Sequence, residues 1–187
     1  KYSVDEAFLD MSGMNYIYDN YVELAHEIKN DIKRKFGFTV NIGIANNMLC
    51  AKMASDFEKP DKVHTLFENE IEKKMWPLPV EDLFMVGKRT SEKLRKLDIN
   101  TIGDLAKTNI GVLNRAFKNQ GKFLSDSANG IDYSKVQKQD AKNPSISISE
   151  TSSYDIDDID ELKGIVFRQV DSLSRELRLK NKYCSVI

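Results

Sequence analysis

The sequence predicts an α+β protein: a helix-backed sheet, then a small all-helical segment, then the start of a second α+β unit. Three observations predict it. Apolar residues alternate with period two over short stretches near residues 2–9, 38–44 and 63–67, as in strands with one buried face. Between those stretches they recur every three or four residues, the spacing of helices laid on a sheet. From residue 85 the strand pattern stops until residue 145, and the stretch 85–142 carries nine Lys and three Arg against one Glu and five Asp.

Composition sets the outer limits. The 187 residues are 41% hydrophobic and 30% charged, with a net charge of -1, which suits a globular chain of one large domain or two to three small ones. No run is long and apolar enough to span a membrane, and no signal-peptide pattern opens the chain. No membrane partner and a cytoplasmic location are therefore expected. Cys50 and Cys184 are too few and too far apart to frame a disulfide scaffold, and His26 and His64 are isolated. The chain starts inside a motif and stops at Ile187 within an apolar run, as an excised fragment would.

The first stretch, Tyr2-Ser3-Val4-Asp5-Glu6-Ala7-Phe8-Leu9-Asp10, reads as a strand with two adjacent carboxylates inside it. Charge within a buried strand needs compensation, and a divalent cation compensates two carboxylates well. Successive strand residues face opposite sides. Asp5 and Glu6 therefore reach one ion only if the strand bends, bulges or ends there.

Ile17, Tyr21, Leu24, Ala25, Ile28 and Ile32 share one helical face up to Phe36, and Gly37 is placed as the C-cap. Phe38, Val40, Ile42 and Ile44 alternate as a strand, with Gly43 allowing close approach of another group. Asn47 to Phe57 reads as a helix with Leu49, Cys50, Met53 and Ala54 inward and Lys52 on its exposed side. Glu58-Lys59-Pro60-Asp61 ends it, and a strand follows at 63–67. A short helix from Ile71 to Trp76 and the stiff Pro77-Leu78-Pro79 connection mark a boundary, with Trp76 packing at the junction.

Met85 to Leu105 has the form of a helix-hairpin-helix. Gly87 opens a helix, Leu94 and Leu97 are its apolar positions, and Ile102 and Leu105 stand on the second helix after a tight turn. Backbone N–H groups at such a helix start suit a nucleic-acid phosphate, and Lys88 and Arg89 add charge. Val112, Leu113, Ala116 and Phe117 give a further helix. Gly121-Lys122-Phe123-Leu124 opens another, which ends at Asn129-Gly130-Ile131-Asp132. A polar linker spans 135–144. Then come an alternating strand at 145–151, an amphipathic helix from Leu162 to Leu177, and a strand beginning at Tyr183.

Residues 2–10 resemble the S-[IV]-D-E-[AV]-[FY]-L-D signature of the Y-family, the translesion DNA polymerases of the DinB/UmuC (ImpB/MucB/SamB) type. Asn41-Ile42-Gly43-Ile44-Ala45 and Ala51-Lys52-Met53-Ala54-Ser55…Lys59-Pro60 are similar to two further family elements, and Ser145 to Thr151 is similar to the strand opening the little finger. The resemblance implies an incomplete ferredoxin-like palm at 1–78 and a helix-hairpin-helix thumb at 79–134. The linker and the start of a little finger at 145–187 follow.

It also implies template-directed nucleotidyl transfer to a primer 3′ end in DNA damage tolerance, as in an SOS response. Asp5 and Glu6 would hold two catalytic Mg2+ ions, and Lys59 would touch the triphosphate. Gly87, Lys88, Arg89, Thr90, Gly121 and Lys122 would meet DNA phosphates. The implied partners are primer-template DNA, a deoxynucleotide triphosphate, and a sliding clamp reached through a C-terminal segment beyond Ile187. A further carboxylate is implied upstream of Lys1, so the piece alone is expected to be inactive.

Two departures stand out: Met85 where the hairpin motif has its first Gly, and Lys118 where many members have Gly. A nucleotidyl cyclase shares a palm-like sheet, but its diguanylate type needs Gly-Gly where Ser3-Val4 stands. A non-catalytic DNA-binding or repair protein would use the hairpins but leave the acidic pair unexplained.

Overall fold

Two parallel strands joined through a helix form the nucleus of the structure, a computed structural model that describes residues 2–136 and 145–184. Strand β1 (Ile42–Ile44) pairs with β2 (Val63–Thr65), Ile42 opposite Val63 and Ile44 opposite Thr65. The crossover contains helix α2 (Met48–Asp56), and α1 (Tyr21–Phe36) packs on both strands. A Cβ built on Gly43 would stand 2.0 Å from the Ala51 carbonyl oxygen and 2.6 Å from Ser55 N. Only a glycine lets the α2 backbone lie this close to the strand.

Caps fix the helix ends, and Gly37 is the C-cap the sequence predicts. The Asn20 side chain accepts from the amides of Val22 and Glu23, and Gly37, at φ 77, donates to the Lys33 carbonyl. Asn47 accepts from Cys50 N at 2.8 Å to start α2. Each cap satisfies backbone groups that a helix end leaves without partners.

All the elements between residues 68 and 128 are helical. After a 3-10 turn at Glu68–Glu70 come α3 (Ile71–Lys74) and a second 3-10 turn at Val80–Asp82. Then follow α4 (Lys88–Arg95), α5 (Ile102–Lys107), α6 (Ile110–Phe117) and α7 (Gln120–Ala128). Helices α4 and α5 form the expected hairpin. Thr101 and Asp104 cap α5 reciprocally: Asp104 N donates to Thr101 Oγ1 at 3.0 Å, and Thr101 N to Asp104 Oδ2 at 2.9 Å.

The sheet part and the helical part share one core. Leu49, Met53 and Ala54 of α2 belong to the same buried cluster as Met75, Val80, Leu94, Ile102, Leu113 and Leu124. Trp76 sits at the junction, its Nε1 donating to the Ala128 carbonyl at 3.0 Å. Residues Lys1–Gln137 make one compact unit, and Lys138–Ile187 a second. The second contains α8 (Ile159–Leu179), started by the Asp158 side chain accepting from Asp160 N. No helix among the described residues is long and apolar enough to cross a membrane.

The α+β class stands, but the strands are fewer and shorter than the alternation predicts. Residues 2–10 and 145–151 form no strand, and the strands at 38–44 and 63–67 contract to three residues each. A strand exists only through its ladder, and β1–β2 is the only pairing of strands among the described residues. Most of the predicted linker, 137–144, and the end of the last predicted strand, 185–187, lie outside the described residues.

Candidate functional site

The acidic pair sits on a bend. The amides of Tyr2 and Ser3 both donate to the Glu6 carbonyl, at 2.8 and 3.2 Å, so the backbone folds back on itself. Ser3 Oγ donates to Asp5 Oδ1 at 2.7 Å. The bend was expected; the buried strand around it was not found. Val4 is 90% exposed and Asp5 is exposed, so Asp5 keeps its charge without needing an ion to offset burial. The Tyr2 ring packs edge-on to Phe8 at 5.4 Å and leans on Phe84 at 6.0 Å, which ties the bend to the loop leading into α4.

Glu6 turns toward α2. Lys52 Nζ donates to Glu6 Oε1 and pairs with Asp56 Oδ2 at 3.0 Å. Asp56 Oδ1 in turn pairs with Lys59 Nζ at 2.7 Å. The charges alternate from Glu6 through Lys52 and Asp56 to Lys59. This corrects the sequence reading of Lys52, whose side chain is only 16% exposed because two carboxylates draw it inward. Lys52, Asp56 and Lys59 recur at helical spacing (i, i+4, i+7), so that part of the chain was visible in the sequence. Its link to Glu6 was not.

These contacts set the protonation of the site. Asp5 lies below the usual carboxylate range, chiefly through the Ser3 hydroxyl, with the Lys52 and Lys59 charges adding to it. Burial pushes Asp56 upward, but the hydrogen bonds from Lys59 and Lys52 outweigh it and the net shift is downward. Burial pulls Lys52 down, and Glu6 and Asp56 more than reverse it. The loop carrying Lys59 is anchored from α1: Lys29 Nζ bonds Asp61 Oδ1 and Lys33 Nζ bonds Asp61 Oδ2, both at 2.9 Å.

No group of three or more His, Cys, Asp or Glu among the described residues is arranged to hold a metal. The acidic pair still suits a hard cation. Ser3 takes Asp5 Oδ1 and Lys52 takes Glu6 Oε1, and each carboxylate has a second oxygen outside those bonds. A small divalent ion commonly takes one or two carboxylates and completes its shell with water and phosphate oxygens.

A basic face lies at the hairpins. Gly87 precedes α4 with extended backbone (φ -85, ψ 172), and no side chain caps the helix. Nothing lies within 4 Å of a Cβ built there, so the approach to the first amides is open. Arg89, Thr90, Lys93, Phe117, Lys118 and Gln120 line a shallow cleft of about 300 Å³, where the start of α4 meets the turn between α6 and α7. Lys88 is exposed beside it. Lys122 pairs with Asp126 at 2.8 Å.

Gly121 serves packing. It is buried, its amide donates to the Lys118 carbonyl, and a Cβ there would stand 2.5 Å from Asn114 Oδ1. The two family departures share a conformation: Met85 has φ 72 and Lys118 has φ 54. Both hold the positive-φ backbone that a glycine adopts freely.

Sequence comparison matches residues 1–56 to the impB/mucB/samB family and residues 68–99 to the IMS family HHH motif. The DNA polymerase IV of Clostridium acetobutylicum is 45% identical over 191 residues, covering 100% of this chain and 47% of the relative. That of Pelotomaculum thermopropionicum is 38% identical over 179 residues, covering 95% of this chain and 44% of its own. The chain thus spans about half the length of the curated relatives it matches. Among solved structures, DinB from Sulfolobus solfataricus superposes with a TM-score of 0.63 at 27% identity, over 73% of this chain and 40% of that one.

Proposed function

The chain belongs to the impB/mucB/samB family of Y-family DNA polymerases, and on that premise we propose that its protein performs metal-dependent, template-directed nucleotidyl transfer to a primer 3′ end, including on damaged templates. The observation that carries this reading is the run of ion pairs joining Glu6 to Lys59 through Lys52 and Asp56. It gathers an acidic pair and a phosphate-seeking lysine at one place from distant parts of the chain.

In this reading Asp5 and Glu6 hold divalent cations, as two Mg2+ ions, which would supply charge neutralisation at the attacking and leaving oxygens. Lys59 meets the triphosphate as a flexible point charge. Lys88, Arg89 and Thr90, with the open backbone at Gly87, receive a phosphate of primer-template DNA at the start of α4. Lys122 adds charge at the second hairpin, whose Gly121 supports that contact through packing. Kinship extends the reading to a sliding clamp as partner and to damage tolerance in the cytoplasm during the SOS response. The chain taken alone keeps the basic cleft but only two site carboxylates, which favours DNA binding without catalysis for these 187 residues.

The test is primer extension and gel shift with Asp5→Ala and Glu6→Ala in the full-length enzyme. Each variant should lose extension and keep DNA binding. Near-normal extension by either one refutes the assignment.

A further inference from the structure

Asp56 is the centre of the charge network, yet the proposed chemistry gives it no task. Its two oxygens are divided: Oδ2 holds Lys52 at 3.0 Å and Oδ1 holds Lys59 at 2.7 Å. Lys52 is likewise divided, between Asp56 and Glu6. The side chain of Lys52 is the most enclosed of the four, so it depends on its two carboxylates for solvation it no longer receives from water.

We propose that Asp56 is a positioning residue that couples the two ends of the site, so that a triphosphate drawing Lys59 away loosens the hold of Lys52 on Glu6. The inference rests on the reading given above for Lys59 and the acidic pair. While Lys59 stays on Asp56, the Asp56 charge is shared and Lys52 leans on Glu6. Once Lys59 turns to a polyphosphate, the whole Asp56 charge faces Lys52. Lys52 then shifts toward Asp56, and Glu6 is released to ligate a cation. Coupling of this kind is reciprocal: a cation on Glu6 drives Lys52 onto Asp56 and frees Lys59.

Asp56→Asn separates this from a structural role. Asp56 ends α2 and its side chain is partly exposed, so the fold should tolerate the amide. In the variant Lys59 has no acidic anchor and Lys52 falls wholly on Glu6. Two titrations on the full chain read this out, one with Mn2+ alone and one with inorganic tripolyphosphate alone. Mn2+ should bind about fivefold more weakly and tripolyphosphate about fivefold more tightly, the scale of a partly exposed ion pair. Adding Lys52→Met to Asp56→Asn should restore Mn2+ binding.

A frayed helix end would weaken both ligands together, and that result, no change in either, or failure of the double variant to recover overturns the proposal. Asp5→Ala and Lys59→Ala are the controls. If they abolish Mn2+ and tripolyphosphate binding respectively while Asp56→Asn does nothing, the coupling alone is wrong. If they leave binding untouched, the site reading is wrong and the coupling falls with it.

Discussion

Asp132 reaches back across 83 residues to accept the backbone amide of Leu49 at 3.0 Å. Beside it, Asn47 Nδ2 donates to the Gly130 carbonyl at 2.8 Å. Helix α2 is therefore capped twice at its N-terminus, once by its own Asn47 and once from the far end of the helical part. Burial pushes the Asp132 carboxyl up, but hydrogen bonds from Ser134 and from the Leu49 amide outweigh it and hold the group below its ordinary range.

The sign of the pH effect follows. A depressed folded pKa gives stability that is present above the unfolded value, about 4 for Asp, and lost as pH falls through the folded one. Asp132→Ala should cost about 1 kcal/mol at pH 7, the scale of a helix cap, and that cost should shrink toward pH 2. Urea denaturation of both proteins at the two pH values decides it; a difference that grows on acidification contradicts the capping role.

Met85 and Lys118 should be improvable. Each holds a positive φ, a conformation that costs an L-residue roughly 1–2 kcal/mol and glycine nothing. Part of the gain is returned because glycine widens the unfolded ensemble. Met85→Gly and Lys118→Gly should each raise the thermal midpoint. Met85→Gly should leave DNA affinity intact or raise it, while Lys118→Gly should lower it by removing a cation from the cleft. Destabilisation by both would show that other contacts of these side chains outweigh the backbone strain.

DNA binding through the hairpins should be salt-dependent and indifferent to sequence, because phosphate contacts carry no base information. Arg89→Ala and Lys88→Ala should each reduce the slope of log K against log salt by about one. Affinities for two unrelated duplexes, each measured at several salt concentrations, check it. An unchanged slope in both variants would place the phosphates elsewhere.

The 187-residue chain alone should fold without extending a primer. The shared core supports folding, while two carboxylates, one already held by Lys52, are a poor match for the charge of two divalent cations. Circular dichroism and a nucleotide-incorporation assay with Mg2+ test the two halves of this statement. Incorporation would mean that the pair suffices for the chemistry.

What the sequence made legible was local. Gly37 as a cap, Gly43 as a point of close approach and Trp76 as a junction residue each follow from one residue's geometry and its neighbours. The hairpin helices follow from spacing. The strand at residues 2–10 does not, because alternation states which side chains could share a face and says nothing about which backbone will pair with them. For the same reason Glu6 could be singled out while Lys52, 46 residues later, could not be recognised as its partner. Met85 and Lys118 were recognisable as departures from a glycine pattern; that the backbone would keep the glycine conformation could be learned only from the dihedral angles.

The bonds from Trp76 to Ala128 and from Asn47 to Gly130 bear on how the molecule can move. The prolines at 77 and 79 invite a hinge between the sheet part and the hairpins. Swinging about that point would tear both bonds from their acceptors and open the shared core, whereas hinges elsewhere in proteins cross few packed contacts. Residues 2–136 should therefore travel as one rigid piece, keeping the spacing between the acidic bend and the hairpin cleft constant through the nucleic-acid binding proposed above.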